Sequence, residues 1–153
     1  MKNLVSLILI TGLMGTTVPA FSGGPDHDSK QEIRKQFIGA WRLASLEEPD
    51  ASGTIHKADC AGMLVFTVDG KASVQVMYRN AQSASAYAQG GYEASYGAYQ
   101  IEGSSTMTFH IDGSLVRTLI GKYLERNYEI SGNRLTITST NPNEHWKVVW
   151  ERF

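Results

Sequence analysis

The sequence is poor in cysteine and carries almost no excess charge. A single cysteine, Cys60, cannot form an internal disulfide, so the fold must rest on its hydrophobic core. We expect Cys60 to be buried and unreactive, the alternative being an intermolecular thiol. The 14 basic and 15 acidic residues leave no surplus of positive charge for phosphates. Nucleic acid is therefore not expected as a partner.

The sequence also lacks the motifs of common catalytic and metal sites. Its four histidines show no ligand spacing, and no second type of metal ligand clusters with any of them. No Ser-His-Asp set, glycine-rich phosphate loop or paired acidic motif is present. We therefore assign no catalytic residue, no metal and no cofactor, and favour a function other than catalysis. Barrel enzymes can nevertheless act through shape and a few hydrogen bonds, without a local motif.

One long apolar run is present, and it lies close to the N-terminus. Lys2 precedes an almost unbroken apolar stretch over 4–14, which is too short to span a bilayer. The small residues Val18 and Ala20 fit a cleavage site, so residues 1–20 are predicted to be a signal peptide. An uncleaved membrane anchor is the alternative. The mature protein is expected in the periplasm or outside the cell, without stable insertion into a membrane.

The remaining sequence predicts one short helix followed only by strands. Residues 21–36 are expected to form a flexible leader and the start of the helix. Ser29 and Glu32 have the spacing of a capping box, which predicts a helix over 30–37. From Gly39 onward the apolar period is two, and Gly, Asp, Asn and Pro recur between the apolar segments.

These segments predict an all-β domain over residues 37–153. Eight strands are expected, at 40–48, 62–67, 71–79, 92–102, 105–112, 122–130, 134–140 and 144–152. Gly70 suits the left-handed position of a hairpin turn, and the resulting register places Leu64, Val74 and Val76 on one face. Eight antiparallel strands with short connections can close into a single up-and-down β-barrel. Closure removes exposed edges and leaves room for one small ligand.

Five segments, in this order, resemble the lipocalin-like domain family of bacteria and fungi. They are FIGAWRL at 37–43, GMLVFTVDG at 62–70, SVQVM at 73–77, YGAY at 96–99 and WER at 150–152. The resemblance covers about residues 36–153. It implies a small calycin-type barrel, without implying one reaction, and the predicted signal peptide makes this chain an exported bacterial member.

The same resemblance implies a structural contact at the closed end of the barrel. A Gly-x-Trp sequence on the first strand would lie beneath a late arginine that packs across the indole. Gly39, Trp41 and Arg152 occupy these positions. An arginine plane over an indole combines burial with a cation–π contact.

Tyrosines and one histidine are candidates for contacts to a ligand. Tyr96 and Tyr99 belong to a group of tyrosines in the middle of the chain, and each combines ring area with a hydroxyl group that needs a partner. Either ring could instead cover the outside of the barrel. His110 lies in mid-strand and could face the lumen or solvent.

Arg126 is the fourth candidate, because it lies inside a predicted strand. If it points inward, its charge must meet a carboxylate such as Glu93 or an anionic ligand, since burying it alone is prohibitive. If it points outward, pairing with Glu125 or Glu144 is expected.

These observations favour a protein that binds a small, largely hydrophobic molecule in the barrel interior. The alternatives are a barrel enzyme of cyclase or isomerase type, and a binding or inhibitory module for another exported protein. The first predicts an apolar cavity, and the second predicts polar groups of perturbed acidity that converge in the lumen. The third predicts a filled lumen and an exposed apolar patch.

Overall fold

A computed structural model describes residues 25–81 and 85–153, which form one α-helix and nine strands. The predicted signal peptide, residues 1–20, lies outside the described residues. The elements are α1 (Pro25–Phe37), β1 (Gly39–Pro49), β2 (Ile55–Lys57), β3 (Cys60–Phe66), β4 (Lys71–Tyr78), β5 (Tyr92–Ile101), β6 (Thr106–Ser114), β7 (Tyr123–Ser131), β8 (Arg134–Ser139) and β9 (Lys147–Arg152). A single 3-10 turn, Arg117–Leu119, precedes β7.

Eight of the strands form a closed antiparallel barrel, as the sequence predicted. The order is β1-β3-β4-β5-β6-β7-β8-β9, and β9 pairs back onto β1. The short strand β2 was not predicted. It pairs with the last residues of β1, where Glu47 lies opposite Lys57 and Pro49 opposite Ile55, beyond the segment of β1 that pairs with β3.

The helix begins at Pro25 rather than at residue 30, which corrects the predicted boundary. Proline is favoured in the first helical turn, because its ring fixes a helical φ and its missing N–H is not needed there. Ser29 therefore lies inside the helix and is not its N-cap. No helix in the described part of the chain is long and apolar enough to cross a membrane.

The two ends of the barrel differ because of their connections. Tight turns that contain Gly70 and Gly132, both with positive φ, join strands at the end covered by α1. At the opposite end the connections are longer, at 50–59, 79–91, 115–122 and 140–146. We call the first the closed end and the second the open end.

An aromatic cluster fills the closed end beneath α1. Phe37, at the last position of the helix, is fully buried. Its ring meets Phe66 and Tyr128 edge-on, with centroids 5.2 and 4.9 Å apart, and lies 6.3 Å from the ring of Tyr99. Such contacts add to the burial of large apolar surface. The helix therefore closes the barrel with a side chain that belongs to the core.

The predicted contact between Trp41 and Arg152 is present at this end. The guanidinium carbon of Arg152 lies 4.1 Å from the centroid of the fully buried indole. The indole nitrogen donates to the carbonyl of Phe37 at 2.8 Å, and Arg152 donates to the carbonyls of Ile38 and Gln36. The same two side chains thus connect β1, β9 and the end of α1.

Position 39 requires glycine for two reasons, the conformation of its backbone and the closeness of Arg152. Its φ of +126° is rarely adopted by other residues, and a Cβ at this position would lie 3.0 Å from an Arg152 Nη atom. Replacing Gly39 would therefore strain the chain and displace the guanidinium group.

Candidate functional site

A cavity of about 640 Å³ occupies the upper part of the barrel, between the aromatic cluster and the open end. Its walls are mostly apolar and come from inward positions of the strands, among them Leu46, Leu64, Val74, Val76, Phe109, Leu124, Ile137 and Val148. Leu64, Val74 and Val76 share this face, as the hairpin register predicted. Phe66, Met107 and Trp150 also line the cavity, and all three are buried. This size and lining suit a small organic molecule.

Three charged residues on the barrel strands line this apolar space. Glu48 lies at the open end of β1, and Glu93 on β5 and Arg126 on β7 lie further along the wall. The inward direction of the last two follows from strand alternation, because Ser95 on β5 and Leu124 on β7, each two residues away, line the cavity as well. Of the four candidates for ligand contact, Arg126 is the one whose side chain lines the cavity.

Arg126 is held between two aromatic rings near the open end. Its guanidinium carbon lies 5.3 Å from the ring centroid of Tyr87 and 5.0 Å from that of Trp146. Its Nη2 donates to the Tyr87 hydroxyl at 3.0 Å, and Nη1 donates to the carbonyl of Glu125 at 2.8 Å. Ring faces and fixed acceptors together compensate for partial burial of the charge.

Glu144 completes this arrangement from the loop before β9. It accepts hydrogen bonds from the Tyr87 hydroxyl at 2.7 Å and from the Trp146 indole nitrogen at 3.1 Å. Burial raises the pKa of Glu144, but these hydrogen bonds and the charge of Arg126 outweigh burial, and the net pKa lies below the usual value. Glu144 is thus a carboxylate whose charge is compensated.

Glu93 has no comparable partner in the described part of the chain. The described residues give its carboxylate neither a hydrogen bond nor an ion pair, and Arg126 acts on it only through the electric field. Burial raises the pKa of Glu93 to about 7, Arg126 opposes the shift, and the charge of Glu48 adds to it. Near neutral pH this carboxyl group is therefore present in both its protonated and its ionised form, inside an apolar cavity.

Glu48, at the open end of β1, accepts a hydrogen bond from the Tyr78 hydroxyl at 3.1 Å. The negative charges of Glu48 and Glu93 also act on the thiol of Cys60 on β3. Burial, together with the charges of Glu48, Asp59 and Glu93, raises the pKa of the Cys60 thiol to about 11. Cys60 is only partly buried, where the sequence predicted a buried cysteine, and its raised pKa favours the less nucleophilic thiol form at neutral pH.

The other three candidates for ligand contact, Tyr96, Tyr99 and His110, do not line the cavity, which corrects their predicted contact with a ligand there. Tyr96 points outward and is 59% exposed. Tyr99 points inward but belongs to the closed end, where its hydroxyl donates to the carbonyl of Thr67 at 3.3 Å. Residues three apart on a strand face opposite sides, so Tyr96 and Tyr99 cannot meet the same ligand atom.

His110 lies on the outer surface of β6. Its Nδ1 is 2.9 Å from a carboxylate oxygen of Asp112, and its ring lies 4.4 Å from that of Tyr123, which is 71% exposed. The inward positions of β6 are instead occupied by Met107, Phe109 and Ile111. His110 is thus a surface histidine with a local acidic partner.

Three residues that shape the polar part of the site were not among the four predicted candidates for ligand contact. Tyr87 lies in the long connection before β5, and Trp146 and Glu144 lie in the connection before β9. A signal was available only for Tyr87, an aromatic residue in a predicted connection, because Trp146 and Glu144 lay inside the predicted strand 144–152 and β9 begins only at Lys147. Strand periodicity says nothing about how such connections fold back over the lumen.

The sequence of the barrel matches that of a known protein family. Residues 38–153 match the sequence profile of a family described as the lipocalin-like domain. No protein of curated function has a detectable match to the chain. A solved lipocalin-like protein from Bacteroides uniformis is 18% identical, with a TM-score of 0.49, and the alignment covers 77% of this chain and 99% of that one. An uncharacterised protein from Bacteroides eggerthii is 16% identical, with a TM-score of 0.47 and coverage of 76% and 99%.

Proposed function

The chain belongs to the lipocalin-like domain family, and from that premise we propose that it binds a small, largely apolar molecule inside the barrel. The observation that carries the proposal is the cavity of about 640 Å³, which opens between the long connections and is lined by more apolar than polar side chains, among them Leu, Val, Ala, Phe and Trp. Apolar walls supply affinity for an apolar body, and a few fixed polar groups orient it. A module that binds other proteins through its surface would not need this space.

Filling the cavity is expected to abolish binding. We expect the double variant Val74→Trp/Leu124→Trp to bind a neutral, fluorescent apolar probe at least about tenfold more weakly than the wild type, because indoles from β4 and β7 would occupy the lumen. Fluorescence anisotropy at constant protein concentration measures the affinity. Thermal melting reports whether the variant is folded.

A matched control adds the same two indoles outside the barrel. Met77 and Tyr123 point outward on the same two strands and are 60% and 71% exposed. The variant Met77→Trp/Tyr123→Trp should bind the probe as the wild type does. If the filled variant folds and still binds with unchanged affinity, the probe does not occupy the barrel and the proposal is wrong.

We also propose that the protein is exported after removal of residues 1–20. The support is Lys2, the apolar stretch over 4–14 and the small residues before the cleavage site. When the full chain is produced in a Gram-negative host, the protein in the periplasm or medium is expected to lack its first 20 residues or a few more. Intact-mass measurement checks this. A full-length protein that stays with the membrane fraction would support the uncleaved anchor instead.

A further inference from the structure

We propose that the ligand is a cationic amine, with its ammonium group against the carboxylate of Glu93 and its apolar body in the cavity. The proposal rests on the proposed function, because it concerns the same cavity, and it names the chemical class that the cavity selects. It departs from the expectation that Arg126 would meet an anionic end of the ligand.

The first argument is the state of the polar groups around the cavity. Arg126 already has two hydrogen-bond acceptors and two ring faces, and Glu48 has the hydroxyl of Tyr78. Within the described residues, Glu93 alone among these inward charges has no hydrogen-bond donor. Glu93 is partly exposed, and only toward an apolar cavity; a carboxylate there without a donor is costly, and a ligand that brings one recovers that cost. An ammonium group supplies both donors and charge.

The second argument is the balance of charge. The barrel wall presents Glu48 and Glu93 to the lumen but a single cation, Arg126. An ammonium ion would offset part of this excess of negative charge. A carboxylate ligand would instead add a third negative group to a space of low dielectric constant, where like charges repel strongly.

The third argument is the position of the remaining charged and titratable groups. They lie at the open end, on the longer connections, and comprise Asp50, His56, Asp59, Arg79, Glu144 and His145. Arg79 is paired with Asp59 at 2.9 Å, and Glu144 is occupied by Tyr87 and Trp146. No described cation other than Arg126 therefore projects from the barrel strands into the cavity to compete with the ligand for Glu93.

The test uses three probes that share one dansyl-labelled alkyl chain and end in a primary ammonium, a hydroxyl or a carboxylate group. At pH 8 the ammonium probe is expected to bind the wild type at least about tenfold more tightly than the carboxylate probe, with the hydroxyl probe between them. In Glu93→Gln the advantage of the ammonium probe over the hydroxyl probe should disappear. Glu125→Gln, which removes an outward carboxylate from β7, should leave the ranking unchanged.

The pH dependence gives a second measurement. Because the Glu93 carboxyl takes up a proton as the pH falls through about 7, the ammonium probe should lose its advantage between pH 8 and pH 5.5 in the wild type. His56 and His145 also line the open end, and any pH dependence that they cause would persist in Glu93→Gln. The part of the pH dependence that this substitution removes belongs to Glu93.

The outcomes separate this proposal from the proposed function. Equal or tighter binding of the carboxylate probe, or an unchanged ranking in a folded Glu93→Gln variant, would overturn the amine assignment while the hydroxyl probe still demonstrates binding in the barrel. Failure of all three probes to bind the wild type would count against both proposals. Thermal melting of each variant identifies any loss of fold.

Discussion

Replacing Trp41 with alanine is expected to lower the free energy of unfolding by about 3 to 5 kcal/mol. The indole is fully buried, and its removal leaves a cavity at the closed end together with an unfilled acceptor at the carbonyl of Phe37. Urea unfolding, followed by far-ultraviolet circular dichroism, gives the change. A loss below about 1 kcal/mol would show that this end of the barrel does not depend on the indole.

A double-mutant cycle tests whether the indole and the guanidinium group act as a pair. Arg152→Ala is expected to cost less than Trp41→Ala, since the arginine is partly exposed, but the two losses should not add. The coupling should be about 0.5 to 2 kcal/mol, the range of a cation–π contact with partial desolvation. Simple additivity would mean that the 4.1 Å stacking seen here contributes nothing measurable.

Replacing Glu93 with glutamine is expected to stabilise the protein at neutral and higher pH, but not at acidic pH. The folded state holds the pKa of this carboxyl at about 7, against an ordinary value of 4.5, so ionisation costs folding free energy. Below the ordinary pKa the cost is absent. It grows as the pH rises from about 4.5 to about 7 and reaches about 3 kcal/mol above that range.

The measurement is the difference in unfolding free energy between Glu93→Gln and the wild type, from urea titrations at pH 4 and pH 8. We expect a difference near zero at pH 4 and a gain of about 3 kcal/mol at pH 8. Glu125→Gln is the matched control, because this exposed carboxylate on β7 should show no such gain. A Glu93→Gln variant that is equally stable at both pH values relative to the wild type would show that the carboxyl is well solvated.

The barrel was predictable because its signals are local. Alternation of apolar and polar residues, with turn residues such as Gly70 between the segments, defines eight strands and their antiparallel order. The strand β2 escaped prediction because its three residues are all exposed and show no alternation. It forms only because the end of β1 extends past β3 and offers an unpaired edge.

The site was less predictable, because it depends on register and on the folding of the connections. Alternation shows that His110 and Phe109 face opposite sides, but not which of them faces the lumen. Pairing with the neighbouring strands determines which side chain faces outward, and it places His110 beside Tyr123 on the outside. Tyr87 and Trp146 reach Arg126 from two connections whose path the strand pattern does not determine.

The closure of the barrel has a consequence for how the chain is made. The first and last strands are direct partners, and the guanidinium group that joins them to α1 comes from a residue 114 positions after its acceptor at Ile38. A ribosome that adds about 5 to 20 residues per second leaves one edge of β1 without its partner for roughly 5 to 20 seconds. Until β9 is present, any sheet that forms from the earlier strands keeps an unpaired edge at β1, and such an edge can pair with another chain.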